Sequence, residues 1–304
     1  MARVAFFGVG LMGEPMAGHL LRAGHSVKVV GHRNREPVER LVAAGAAEAA
    51  SPAEAARHTD VAIMMLPTAR EVEAVLFGLQ GLAGEMTDGL PAGYTVIDMG
   101  TSFPPDTRRI AARVIAMGGR FLDAPVTGGP SGARNGTLTI MVGGEPDTLE
   151  AIRPLLQAMG QHIYHFGDVG AGHTAKLIQN MIGIISSAAI AEGFVLATAA
   201  KLDVEKFFRM LLSSTSNSPA LQYVVPKVFA RDFDKVGFRL DMAHKDIRQA
   251  TALAREMTVP LPVANGATEL LQLARALGFG HQDSTAVIRG LETILGIEVR
   301  GGHA

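Results

Sequence analysis

Lys176 and Asn180 stand four residues apart in the run Gly170-Ala171-Gly172-His173-Thr174-Ala175-Lys176-Leu177-Ile178-Gln179-Asn180. On a helix that spacing puts an amine and an amide on one face. Polar groups on an otherwise apolar helix need a reason to be there, and two readings stand. One is a pair that handles a proton and a substrate; the other is a lysine snorkelling at a helix start, with Asn180 satisfied locally. A second group of residues lies at the N-terminus, where Val4-Ala5-Phe6-Phe7 runs into Gly8-Val9-Gly10-Leu11-Met12-Gly13. This is G-x-G-x-x-G between an apolar strand and a helix expected over roughly Leu11–Ala23. Gly8 permits the tight turn, Gly10 lets a pyrophosphate approach the backbone, and Gly13 lets the helix pack close. The helix start then offers free N–H groups and a positive dipole end to phosphates. Dinucleotide binding is the expectation.

The end of the second strand reads Val29-Val30-Gly31-His32-Arg33-Asn34-Arg35, with no acid to take a ribose 2′-hydroxyl. Arg33 can offer a charge-assisted fork to a 2′-phosphate, helped by Asn34 and Arg35. NADP is therefore expected over NAD, with NAD possible.

The elements that must position these residues follow from the patterning. Up to about Phe166 the chain alternates strand and helix, which predicts a doubly wound parallel α/β sheet. Strands are expected at Val4–Phe7, Ser26–Val30, Val61–Leu66, Thr95–Asp98, Arg120–Asp123, Thr137–Val142 and His162–Phe166. From Thr174 onward the pattern is helical, opening with one long apolar helix. The expected organisation is a Rossmann-type NADP-binding domain over residues 1–168 and an all-helical substrate and oligomerisation domain over 169–304. The 304 residues are 48% hydrophobic with a net charge of −1, which suits a globular protein and gives no field to recruit nucleic acid or a membrane. There is no cysteine, so disulfides and thiolate chemistry are excluded. The core strand begins almost at once, leaving no room for a signal peptide, and the cytoplasm is expected. Leu177–Ala200 is apolar enough to suggest a membrane span, but Gln179, Asn180 and Glu192 suit a buried helix better. His162, His165 and His173 are close in sequence, yet no acidic or cysteine cluster joins them, and no metal is expected.

Five ordered motifs resemble the β-hydroxyacid dehydrogenase family over nearly the whole chain. They are Phe7 to Ala17, Met65-Leu66-Pro67-Thr68 with Asp98-Met99-Gly100-Thr101-Ser102, Asp123-Ala124-Pro125-Val126-Thr127-Gly128-Gly129, the Lys176–Asn180 segment, and Ala243-His244-Lys245-Asp246. The resemblance implies that Lys176 is the catalytic lysine and that Asn180 orients the substrate toward it. It implies that Thr127, Gly128 and Gly129 receive a substrate carboxylate, with Asp246 in support. It places Gly8, Val9, Gly10, Leu11, Met12, His32, Arg33, Asn34, Leu66, Pro67, Thr101 and Lys245 around the cofactor. A small carboxylate substrate and a homodimer or homotetramer are expected. Threonine at 127 where serine is usual, Gln179-Asn180 where Asn-Asn is common, His32, and the polar run Ser213–Ser218 are departures that bear on cofactor and substrate. Imine reductases share the architecture but often carry Asp or Tyr where Lys176 stands. A dinucleotide-binding sensor without turnover is the reading from another class. The substrate stays open among small hydroxy acids and semialdehydes.

Overall fold

The computed structural model describes residues 1–31, 34–83 and 90–302. Two compact units emerge, Met1–Lys176 and Leu177–Ala304. The first alternates β1 (Arg3–Phe7), α1 (Gly13–Arg22), β2 (Ser26–Val30), α2 (Glu36–Ala43), β3 (Ala47–Ala49), α3 (Pro52–Ala56), β4 (Val61–Met64) and α4 (Ala69–Phe77). It continues through β5 (Thr95–Asp98), α5 (Pro104–Ala116), β6 (Arg120–Asp123), β7 (Val126–Thr127), α6 (Gly129–Asn135), β8 (Leu138–Gly143), α7 (Pro146–Gln157) and β9 (Gly160–Gly167).

These strands form one sheet in the order β3-β2-β1-β4-β5-β6-β8-β7, with β9 on β8. The first six are parallel in the 3-2-1-4-5-6 order of a dinucleotide-binding fold. Helices cover both faces, so β1 and β4 carry apolar residues toward each of them. Val4 and Phe6 enter one core and Ala5 and Phe7 the other; Val61 and Ile63 divide from Ala62 and Met64 in the same way.

The sheet departs from the expected all-parallel pattern beyond β6. Strand β8 runs antiparallel to both β6 and β7. Residues 128–137, which join β7 to β8, are too few for a parallel crossover of a dozen or more residues, so the chain turns back.

The second unit is helical: most of α8 (Ala171–Ala199), then α9 (Val204–Leu212), α10 (Pro219–Ala230), α11 (Leu240–Glu256), α12 (Pro262–Ala276) and α13 (Ile288–Leu295). Helix α8 begins three residues before the expected start, and a 3-10 turn at Ser284–Val287 leads into α13. By length and mean hydropathy α8 could cross a membrane. Its Ile184, Ala188, Ala191, Phe194 and Val195 instead pack into the helical core. The Phe194 ring lies 5.5 Å from Phe207 and 5.8 Å from Phe229.

One buried carboxylate organises this unit. Asp283 accepts from the N–H of Gly237 at 2.8 Å, the Thr285 hydroxyl at 2.9 Å and the Tyr223 hydroxyl at 3.2 Å, and pairs with Lys227 Nζ at 2.9 Å. Burial pushes its pKa up, but the Gly237 and Thr285 donors and the Lys227 ammonium outweigh that and hold it below the usual carboxylate value. Asp283→Ala leaves Lys227 without its carboxylate partner, with the Lys235 carbonyl oxygen still at 2.8 Å, and is expected to cost about 3 kcal/mol in urea unfolding. The folded pKa is depressed, so this contribution is present above the unfolded value of about 3.9 and fades as pH falls through the folded one. The variant's deficit should therefore shrink in that acid range; a deficit that does not change with pH there would refute the ionic account.

Candidate active site

The carboxyl ends of neighbouring strands β1, β4 and β5 carry the expected cofactor residues. Gly8 leaves β1 with φ +93°, and a Cβ there would lie 2.2 Å from the Met65 carbonyl oxygen. At Gly13 a Cβ would lie 1.9 Å from the Gly8 carbonyl oxygen, so the start of α1 sits directly on the turn. Around Gly10 a Cβ meets nothing within 4 Å. The glycine there clears space beside the backbone, which fits the approach of a pyrophosphate and is not demanded by the protein's own packing. Loops β4–α4 and β5–α5 touch, since a Cβ on Gly100 would come within 2.3 Å of the Leu66 oxygen. Leu66, Pro67 and Thr101 thus stand on adjoining loops next to the glycine turn.

His32 and Arg33 lie outside the described residues. Of their neighbours, Arg35 donates to both carboxylate oxygens of Glu48, at 2.6 and 2.9 Å, and Asn34 Oδ1 accepts from the Glu36 N–H at 3.2 Å. Both helpers expected for a 2′-phosphate are engaged with the protein itself.

Thr127 ends β7, and Gly128 and Gly129 follow with φ +122° and +61°. Both angles lie in the region that favours glycine, and a Cβ at Gly129 would meet nothing within 4 Å. The turn is open on that side.

Lys176 lies in the second turn of α8 and is 8% exposed. The helix start beneath it is held by residues whose part here sequence reasoning did not foresee. Asp123, at the end of β6, accepts from the N–H groups of Gly170 and His173, each at 2.7 Å. The His173 ring is fully buried, with Nδ1 2.8 Å from Thr107 Oγ1 on α5 and Nε2 3.7 Å from Asp98 Oδ2. Asp98 in turn accepts from the Gly100 N–H and the Ser102 hydroxyl, which shapes the loop bearing Thr101.

In the helical unit, Asn180 Nδ2 donates to Asp246 Oδ2 at 2.6 Å, and Lys245 Nζ lies 3.1 Å from Asp246 Oδ1. The three side chains expected around substrate and nicotinamide are thereby brought together. Beside them Gln179, Asn180, Ser187, Phe238, Ser284 and their neighbours line a cavity of about 110 Å³. Phe238 and Ser187 carried no sequence signal. Deeper in α11, burial and then the Arg275 and Arg248 charges hold the His244 pKa down at about 4, with Arg275 Nη1 at 2.9 Å from Nδ1.

A Rossmann unit with this glycine turn, followed by a helix with a buried lysine and a half-buried amide one turn on, defines a nicotinamide-dependent oxidoreductase. Comparison with known proteins narrows the class. Residues 3–167 match the NAD-binding domain of 6-phosphogluconate dehydrogenase, and residues 170–291 match the NAD-binding domain of NADP-dependent 3-hydroxyisobutyrate dehydrogenase. The chain is 35% identical over 302 residues to 2-(hydroxymethyl)glutarate dehydrogenase of Eubacterium barkeri, covering 99% of this chain and 98% of that one. It is 36% identical to 3-hydroxyisobutyrate dehydrogenase of Pseudomonas aeruginosa, covering 96% of each. A crystal structure of 3-hydroxyisobutyrate dehydrogenase from Salmonella typhimurium superposes with a TM-score of 0.86 at 30% identity, covering 95% of this chain and 99% of that one. The chain belongs to the β-hydroxyacid dehydrogenase family. It is an NAD(P)-dependent oxidoreductase acting on the CH–OH group of a hydroxy acid or on the matching semialdehyde.

The glycines separate packing from binding. Gly10→Ala should leave the thermal midpoint unchanged and weaken NAD(P)H at least tenfold, about 1.4 kcal/mol, in a fluorescence titration. Gly13→Ala should lower both stability and affinity. Unchanged affinity in Gly10→Ala would remove the pyrophosphate from that turn.

Proposed function

We propose that this chain is an NADP-preferring dehydrogenase or semialdehyde reductase for a small β-hydroxy acid, with Lys176 as its proton donor and acceptor. The observation that carries the reading is a buried lysine on an apolar helix whose next turn presents Asn180, itself fixed by Asp246. When bound, the nicotinamide supplies the hydride chemistry. The residues of this chain supply position and the proton. In the reductive direction Lys176 gives a proton to the carbonyl oxygen of the substrate; in the oxidative direction it takes the hydroxyl proton. Asn180 holds the substrate, and Asp246 holds Asn180. The Thr127-Gly128-Gly129 turn receives the substrate carboxylate, largely through backbone N–H groups that no Cβ shields. The threonine methyl narrows that end and selects for a small acid.

Gly8, Val9, Gly10, Leu11 and Met12 cradle the pyrophosphate, with Leu66, Pro67 and Thr101 along the cofactor and Lys245 on its nicotinamide side. The NADP preference rests on Arg33. Glu48 takes the Arg35 guanidinium, so the assignment stands on Arg33 and not on Arg35. We place the protein in the cytoplasm as a homodimer or homotetramer.

Lys176→Ala should reduce kcat by at least about a hundredfold while the Kd for NAD(P)H stays within about twofold. Retained turnover on a panel of small hydroxy acids and semialdehydes would remove Lys176 from the chemistry. Arg33→Ala should lower the ratio of kcat/KM for NADPH over NADH by about tenfold, the scale of one charge-assisted contact. A wild-type ratio that already favours NADH would overturn the NADP assignment.

A further inference from the structure

Helix α8 opens with the Ala171 N–H bonded to the Asp168 carbonyl oxygen at 3.0 Å. Gly170 precedes it and has no side chain to satisfy the free N–H groups of the first turn, a position where Ser, Thr, Asp or Asn is preferred. Asp123 does this from 47 and 50 residues away: Oδ1 accepts from the Gly170 N–H and Oδ2 from the His173 N–H, each at 2.7 Å. The carboxylate is fully buried, so both bonds form out of water, where a charge-assisted bond is strong and an unmade one costly. Its negative charge also lies at the positive end of the helix dipole.

The helix start is pressed onto the sheet at the same point. A Cβ on Gly172 would come within 2.5 Å of the Met141 carbonyl oxygen and 2.6 Å of the Asp123 carbonyl oxygen. Only glycine lets the first turn sit there, one turn ahead of Lys176. The His173 ring, wedged between Thr107 on α5 and Asp98 on β5, fixes the turn from a third side. Asp123 also begins the segment that leads to Thr127, Gly128 and Gly129. One carboxylate therefore ties the base of the lysine-bearing helix to the strand end that leads into the carboxylate-receiving turn.

We propose that Asp123 is a positioning residue: it sets the register of α8 against β6 and so sets Lys176 relative to that turn. The inference rests on the reading of Lys176 as the proton donor. Hydride and proton transfer tolerate little misplacement, so a small shift of the helix start should act on kcat more than on binding.

The test uses the full chain and three variants, with NAD(P)H fluorescence counting competent sites. Asp123→Asn keeps the shape but turns one amide hydrogen toward an N–H donor. Gly172→Ala keeps the carboxylate but forces the helix start off β6. Each should lower kcat at least tenfold per competent site, with substrate KM and cofactor Kd within about threefold, well under one tenfold step of binding energy. A purely structural role would instead lower the thermal midpoint and leave kcat per competent site within twofold of wild type, which would overturn the proposal. So would failure of both variants to give folded protein, because Asp123 would then belong to the fold alone. Lys176→Ala is run alongside: if it keeps turnover, the catalytic reading fails first. If it is inactive while Asp123→Asn and Gly172→Ala behave as wild type, only the positioning role falls.

Discussion

Two N–H groups at the start of α8, those of Gly170 and His173, would have nowhere to go without the Asp123 carboxylate. They are buried at the ends of β6 and β8, away from water that could satisfy them, and the residue before the helix is a glycine. The helix can begin there only because a strand end supplies the acceptor. Gly172 and Gly143 are needed for the same reason. A Cβ at Gly143 would lie 2.6 Å from Asp123 Oδ1, inside the space the carboxylate and the helix share. The first turn of α8, which belongs to the first unit, is thus anchored in that unit's own sheet.

The sheet itself imposes the rest of the arrangement. Six parallel strands buried on both faces must deliver their carboxyl ends to one edge, and the loops leaving that edge crowd together. The close approaches of Gly8 to Met65 and of Gly100 to Leu66 are the physical trace of that crowding. Residues far apart in sequence, such as Gly10, Pro67 and Thr101, are carried by neighbouring strands because of it. Asp98 extends the same logic by one step. Its carboxylate shapes the loop to Thr101 through the Gly100 N–H and the Ser102 hydroxyl, while the buried His173 ring rests against it.

What the sequence revealed divides along a physical line. Features set by local periodicity were legible: the glycine turn between β1 and α1, the alternation of strand and helix, and the shared face of Lys176 and Asn180. Features set by pairing across long separations were not. Nothing in the letters around Asp123 announces a cap for a helix 47 residues on, and nothing near Asn180 announces Asp246, 66 residues away. Arg35 read as a helper of Arg33 for a 2′-phosphate, yet Glu48 on β3 takes its guanidinium. That pairing could not be foreseen because β3 itself was not. Ala47-Glu48-Ala49 carries no β-branched or aromatic residue, and it is a strand only because β2 offers an edge. The antiparallel return of β8 was hidden in the same way, since its cause is the shortness of residues 128–137 and not the composition of the strand.

The Asn180–Asp246–Lys245 group shows how far a side-chain chemistry can be carried from these contacts. A carboxylate only accepts, and Asp246 Oδ1 already lies 3.1 Å from Lys245 Nζ. The amide NH₂ of Asn180 must therefore point at Asp246, as the 2.6 Å contact has it, because the flipped amide would set its oxygen against an acceptor. The carbonyl oxygen of Asn180 is then the atom left to face other partners. An oxygen acceptor on the same helix face as Lys176 suits a hydroxyl, which donates, better than a carbonyl, which does not.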